Sequence, residues 1–155
     1  MAAIENSPAP NFSVKSSDGK TVSLKSLAGK KVVLYFYPKD DTPGCTTEAC
    51  NFRDSFAEFK KAGALIYGIS PDDLESHDKF IAKFKLPFPL LADPDHAMAE
   101  AFGVWKEKSM YGKKYMGIER TTFVLDAKGR IVKIFPKVKV AEHHTEVLEV
   151  LSTLK

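Results

Sequence analysis

The run Val32-Val33-Leu34-Tyr35-Phe36-Tyr37, stopped by Pro38, constrains the fold more than any other feature of the chain. A short, uninterrupted stretch of β-branched and aromatic residues reads as a strand buried on both faces, which requires a sheet covered on both sides. The rest of the pattern supplies the covering layers. From Pro43 to Lys60 the period becomes helical, with Ala49, Phe52, Phe56 and Phe59 spaced three and four apart. Ala64 to Ser70 is predicted as the next strand and Asp72 to Phe84 as the next helix, with Leu74, Phe80, Ile81 and Phe84 as core positions. Phe88 to Ala92 reads as a short strand, and His96 to Phe102 as a short helix ended by Gly103. Thr121 to Leu125 and Arg130 to Phe135 flank Asp126-Ala127-Lys128-Gly129 as an antiparallel hairpin. Ala141 to Leu154 closes the chain as a helix, with Val147, Leu148, Leu151 and Leu154 facing inward.

Strands alternate with helices and then give way to a hairpin and a terminal helix. That order predicts an α/β, thioredoxin-like sandwich: a central mixed β-sheet flanked by helices. Phe12-Ser13-Val14 and Thr21-Val22-Ser23-Leu24, around Asp18-Gly19, add an N-terminal β-hairpin extension. A chain of 155 residues fits one domain, residues 1–155. With 44% hydrophobic and 28% charged residues it has the composition of a folded globular protein rather than a disordered one.

The charge balance argues against a nucleic-acid surface: net charge is +3, and of 23 basic residues only Arg53, Arg120 and Arg130 are Arg. No apolar run approaches 18 residues, so no membrane span is expected. Met1 to Pro10 lacks the basic and apolar regions of a secretory signal, which makes the expected location cytoplasmic, or an organelle where a transit peptide has been removed. Two Cys and four scattered His make a closed zinc site improbable, and neither a metal nor an organic cofactor is expected.

Both cysteines lie in one segment, Cys45 and Cys50, five positions apart. Thr42 suits an N-cap and Pro43 a first helical position, so Cys45 falls in the first turn of a helix that follows a buried strand. Free backbone N–H groups and the positive helix end there favour a thiolate. On a helical wheel Cys45 sits on the apolar stripe, while Cys50 is turned away by roughly 140°. From position alone, a Cys on such a stripe is read first as a small buried hydrophobe, and a spacing of five is no Cys-x-x-Cys. Arg120 by itself reads as a surface salt bridge with Glu119 or Glu48, and Arg53 as a partner of Asp54. His143-His144 is expected on the surface of the last helix, Asp40 and Asp41 as solvated loop residues, and Asp93 as a helix cap.

Tyr35-Phe36-Tyr37-Pro38, then Thr42-Pro43-Gly44-Cys45-Thr46-Thr47-Glu48-Ala49-Cys50 and Phe52-Arg53-Asp54, closely resemble the peroxiredoxins of the bacterioferritin-comigratory-protein (PrxQ) subfamily. Gly68-Ile69-Ser70, Phe102-Gly103-Val104-Trp105, Gly117-Ile118-Glu119-Arg120 and His143-His144 extend the resemblance over the whole chain. It implies a thiol peroxidase acting on hydrogen peroxide and organic hydroperoxides, with Cys45 as the peroxidatic thiol. Thr42 and Arg120 would complete its pocket, Pro38 would shield it, and Cys50 would be the resolving thiol. Reducing equivalents would come from thioredoxin or a glutaredoxin-like protein, and the protein would be a monomer. The rivals are a redox sensor that uses the same disulfide as a switch and a reductase of protein disulfides.

Ionisation of the thiol would not carry the rate by itself. Lowering a thiol pKa by about two units multiplies the thiolate roughly 25-fold at pH 7, but the accompanying loss of nucleophilicity returns all but about threefold. The larger contribution must come from donors aimed at the leaving oxygen. The candidates are the Thr42 hydroxyl, the backbone N–H groups of Gly44 and Cys45, and the Arg120 guanidinium.

Overall fold

The computed structural model describes residues 3–154; the first two residues of the Met1 to Pro10 stretch, and Lys155 of the expected domain, lie outside the described residues. The strands are β1 (Ser13–Ser16), β2 (Thr21–Ser23), β3 (Lys31–Phe36), β4 (Ala64–Ser70), β5 (Leu90–Ala92), β6 (Trp105–Met110), β7 (Lys113–Ile118), β8 (Thr121–Leu125) and β9 (Ile131–Phe135). The helices are α1 (Pro43–Asp54), α2 (Phe56–Lys61), α3 (Leu74–Phe84), α4 (Ala97–Ala101) and α5 (His143–Ser152). Seven strands form one sheet in the order β2-β1-β5-β4-β3-β8-β9. β3 pairs in parallel with β4, and β4 with β5, whereas β8 and β9 join antiparallel, so the sheet is mixed. The N-terminal hairpin adds itself through β1 to β5.

β3 divides the molecule as its composition requires. Val32, Leu34 and Phe36 enter one core, with Met98 and Ala99 of α4, Phe102 just after it and Phe123 of β8. Val33, Tyr35 and Tyr37 enter the other, against α1, α2, α3 and α5 through Cys45, Phe52, Phe59, Phe80 and Val147. Each fully buried side chain of this size contributes roughly 1.5–3 kcal/mol by leaving water, so the helices are held on the sheet by these contacts rather than by intrinsic propensity.

Several boundaries differ from the sequence reading. The helix expected from Pro43 to Lys60 is divided at Ser55, just after Asp54, where two weak helix formers stand together. α3 begins at Leu74, with Asp73 as its N-cap accepting the Ser76 N–H at 2.9 Å. Phe80 is buried on it as expected, and His77, which the stripe of apolar residues passed over, is buried beside it.

The hairpin of β6 and β7 stands as a separate two-stranded sheet in a stretch for which no element was expected. Its strands carry Lys on both faces and expose most of their side chains, so no period-two signal exists. The local clue was its turn: Tyr111 and Gly112 both take positive φ, 52° and 77°, as a two-residue hairpin turn of right-handed twist requires.

Candidate active site

Strand register brings the site together. Thr121 at the start of β8 lies opposite Phe36 at the end of β3, which sets Arg120 beside the point where the chain leaves the sheet and enters α1. Thr42 is the N-cap of α1 and Pro43 its first residue, so Cys45 occupies the first turn, 1% exposed. No acceptor is bound by the Gly44 or Cys45 backbone N–H among the described residues, which leaves both donors free at the start of α1.

Arg120 makes two contacts at once. One guanidinium nitrogen donates to Cys45 Sγ at 3.2 Å and the other to Glu48 Oε1 at 2.7 Å. The expected surface salt bridge is therefore corrected in part. The partner is Glu48, but Glu48 is buried, and the same fork also holds the sulfur. Glu119 instead pairs with Lys106 at 3.4 Å. Gly44 permits the approach, because a Cβ there would stand 3.2 Å from the guanidinium. Burial works against the Arg120 charge, but Glu48 and Cys45 outweigh it and raise its pKa further. Burial pushes the Glu48 carboxyl up to about 7 against the opposing charge and hydrogen bond of Arg120. Its second oxygen, Oε2, and the Tyr35 hydroxyl are buried without a partner among the described residues.

Thr42 caps by backbone conformation alone. Its hydroxyl donates to the Lys39 carbonyl at 2.9 Å, so it is not the free donor expected, and toward a bound peroxide it is left as an acceptor. Pro38 is half-buried at the end of β3. Cys50 is half-buried on the same helix as Cys45, and both thiols are free. Arg53 binds Asp54 at 2.9 Å and the Phe84 carbonyl at 2.7 Å, tying α1 to the end of α3 rather than serving the sulfur.

Three further expectations are corrected or met. His143 is buried, not superficial: its Nε2 is 2.7 Å from the Thr122 hydroxyl, and its ring meets Phe52 and Phe135 edge-on. Asp40 is buried too, held by Tyr37, Ser76 and His77, whereas Asp41 is exposed and pairs with Lys83 at 2.8 Å. Asp93 does cap a helix, accepting the N–H groups of Met98 and Ala99 at 3.0 and 2.8 Å.

Lys108 of β6 was missed with its hairpin. Its stem lies over Gly117, where a Cβ would meet its Cδ at 3.4 Å. Burial and the neighbouring Arg120 charge lower its pKa. A glycine placed diagonally across a hairpin from a lysine was the available signal.

Asp40, Asp72 and His77 place ligand-type atoms within 4.8 Å of one another. A metal needs an imidazole lone pair, and both His77 nitrogens already face protein acceptors. This donor set does not fit a metal ion.

Comparison with known proteins shows the family. The AhpC/TSA family matches residues 6–134. Peroxiredoxin Bcp of Bacillus subtilis is 54% identical over 146 residues, covering 94% of this chain and 93% of that protein. Peroxiredoxin Bcp of Escherichia coli is 49% identical over 140 residues, 90% of each. A solved structure of Xanthomonas campestris Peroxiredoxin Q superposes with a TM-score of 0.90 at 46% identity, covering 99% of this chain and 98% of that one. The Xanthomonas campestris bacterioferritin comigratory protein, studied for alkyl peroxide reduction, superposes with a TM-score of 0.87 at 48% identity, covering 92% of this chain and 90% of that one.

Proposed function

The chain belongs to the AhpC/TSA family and is a thiol-dependent peroxidase of the Bcp/PrxQ type; from that premise we propose that Cys45 is its peroxidatic thiol and Cys50 its resolving one. The observation that carries this reading is the Arg120 contact to Cys45 Sγ at the start of α1. The Cys45 thiolate attacks the terminal oxygen of ROOH, the O–O bond breaks, and the sulfur keeps that OH as sulfenic acid while RO⁻ leaves and takes a proton from solvent water. Arg120 and the N–H groups of Gly44 and Cys45 are the donors that stabilise the negative charge as it moves from sulfur to the leaving oxygen. Thr42 accepts a hydrogen bond from the peroxide O–H, and Pro38 walls the pocket.

In the second step the Cys50 thiol displaces the sulfenic oxygen as water and forms the Cys45–Cys50 disulfide. A dithiol protein, thioredoxin or a glutaredoxin-like donor, then reduces that disulfide to two thiols and is itself oxidised. The working unit in this reading is a monomer, with residues 1–155 as one domain, acting in the cytoplasm. Among the described residues no helix is long and apolar enough to cross a membrane.

The test is peroxide consumption with excess thioredoxin, thioredoxin reductase and a nicotinamide reductant. Wild type should turn over many times. Cys45→Ser should fall below about a hundredth of that rate, since no other thiol stands at a helix N-terminus. Consumption of a single equivalent by wild type would favour a redox switch over an enzyme, and turnover by Cys45→Ser would remove Cys45 from its role.

A further inference from the structure

The peroxidase chemistry makes no use of Asp40 and His77, yet they form a tightly bonded buried polar group. His77, on α3, has no exposed side-chain surface, and Asp40 has 4%. His77 Nδ1 lies 2.7 Å from Asp40 Oδ2, and Nε2 lies 2.9 Å from the Leu91 carbonyl of β5. A carbonyl oxygen only accepts, so Nε2 carries a proton. Asp40 also receives the Tyr37 hydroxyl on Oδ1 and the Ser76 hydroxyl on Oδ2, the latter at 2.8 Å. An ionised carboxylate only accepts, and opposite one Nδ1 carries a proton as well. In that state His77 is an imidazolium whose charge Asp40 balances. Taking one proton away would set a nitrogen lone pair against an oxygen lone pair inside the core.

The pair pins the approach to Cys45. The Asp40 backbone N–H donates to Asp72 Oδ2 at 2.8 Å, and Asp72 also takes the Ser70 hydroxyl at 2.7 Å, so the loop is fastened to β4 as well as to α3. Cys45 follows Asp40 by five residues, and the first turn of α1 inherits its placement from this loop.

We propose that His77 is a positioning residue for Cys45: as the cationic partner of Asp40 it holds the 38–42 loop in place, and loss of its proton as pH rises frees the loop and slows attack on peroxide. The proposal rests on Cys45 being the attacking thiol. The groups that face the ring are Asp40 before α1, Asp72 after β4, the Leu91 carbonyl on β5 and Ser76 on its own helix, with Tyr37 of the β3 end reached through Asp40. A surface cleft lined by Asp73, Glu75, Lys79 and Lys83 gives solvent access to Asp40. Burial opposes the His77 charge, but Asp40, the Leu91 carbonyl and Asp72 overcome it and raise the histidine above its ordinary value of 6.5. The stabilisation it brings is therefore complete below pH 6.5 and is lost as pH rises through the higher folded value. Burial pushes Tyr37 well above the ordinary phenol range, so it does not titrate in the same window.

Nitrogen NMR of the reduced, histidine-labelled protein reads the charge directly. Both His77 ring nitrogens should be protonated well below pH 6.5, and the midpoint of the proton loss above it should coincide with a fall of about 10- to 100-fold in the second-order rate with hydrogen peroxide. Asp40→Asn supplies an amide N–H to a neutral Nδ1, so it should abolish that fall whatever its plateau rate. An unprotonated ring nitrogen on His77 well below pH 6.5, or an unchanged fall in Asp40→Asn, overturns the proposal. The NMR measurement needs no variant to fold. It also stands apart from the assignment of Cys45, which would fail separately through turnover by Cys45→Ser.

Discussion

Arg120 donates to the Cys45 sulfur at 3.2 Å although 75 positions separate the two residues in the chain. The sheet makes the contact: β8 pairs antiparallel with β3, so the residue before β8 arrives where α1 starts. The guanidinium fork then spans a sulfur and a carboxylate, a geometry that a single ammonium cannot reproduce.

Arg120→Ala and Arg120→Lys should each lower the second-order rate with peroxide by about 10²–10³, the usual cost of removing a donor to a developing oxyanion. A change in thiol ionisation alone would account for only about threefold. Stopped-flow measurement of sulfenic acid formation separates the two. A loss smaller than about fivefold would reduce Arg120 to a structural partner of Glu48.

Glu48 gives a pH prediction whose sign is fixed. Its carboxyl titrates near 7 in the folded protein and near the ordinary 4.5 when unfolded. Across that window the folded state holds a proton the unfolded state has lost, so the Glu48 contribution to stability falls as pH rises and is constant above it. Glu48→Gln has nothing to titrate. Relative to wild type it should gain stability between pH 4.5 and 7, by at most about 3–4 kcal/mol at 1.36 kcal/mol per pKa unit. Urea midpoints of both proteins across the window measure this. A constant difference would mean that Glu48 is already ionised throughout.

How much of this was legible depended on whether a residue left a periodic or positional mark. β3 was readable because an apolar run ending in Pro admits few placements, and Cys45 because its Thr and Pro neighbours mark a helix start. The β6–β7 hairpin left no mark, since strands wet on both faces have no period. His77 and Asp40 were hidden for a different reason: a polar residue becomes interior only when distant partners satisfy it, here Leu91, Tyr37 and Ser76 on other elements or in a later turn. The double engagement of Arg120 is likewise a product of strand register, which no local pattern encodes.

Gly68 is the place where the sheet under the site has no room. It lies in register between Tyr35 of β3 and Leu90 of β5. A Cβ there would stand 2.7 Å from the Tyr35 ring and 2.8 Å from Leu90. Tyr35 is in turn stacked on Phe52 of α1 at 4.9 Å, so the ring has little freedom to yield. Gly68→Ala should destabilise the protein by about 1–3 kcal/mol, the usual cost of overpacking. Thermal or urea unfolding within a few tenths of a kcal/mol of wild type would show that the strands part easily here.

Two thiols of one helix must move before they can meet. Cys45 and Cys50 both lie in α1, which runs unbroken from Pro43 to Asp54. Five residues of α-helix separate their Cα atoms by roughly 8–9 Å, and the Cβ vectors diverge by roughly 140°. A disulfide needs Cα atoms about 4.4–6.8 Å apart, so the first turns of α1 must unwind before the bond can close. Among the described residues the side-chain hydrogen bonds that resist are the Arg120 bonds to Cys45 and Glu48 and the Thr47 hydroxyl on the Pro43 carbonyl at 3.0 Å, and the buried Cys45 and Ala49 add their packing. Further along, Phe52 is fully buried against Tyr35 and Phe59 and anchors the rest of the helix. In the proposed reaction, attack by Cys45 on peroxide would itself loosen the Arg120 bonds, because a sulfenic acid no longer presents the negative sulfur that Arg120 favours. Oxidation should therefore strip hydrogen-exchange protection from the amides between Cys45 and Cys50 while β3, β4 and β8 keep theirs. Equal protection in the two redox forms, with the Cys45–Cys50 bond confirmed by mass, would show that the disulfide forms without unwinding, and a disulfide to another molecule would remove Cys50 from the resolving role.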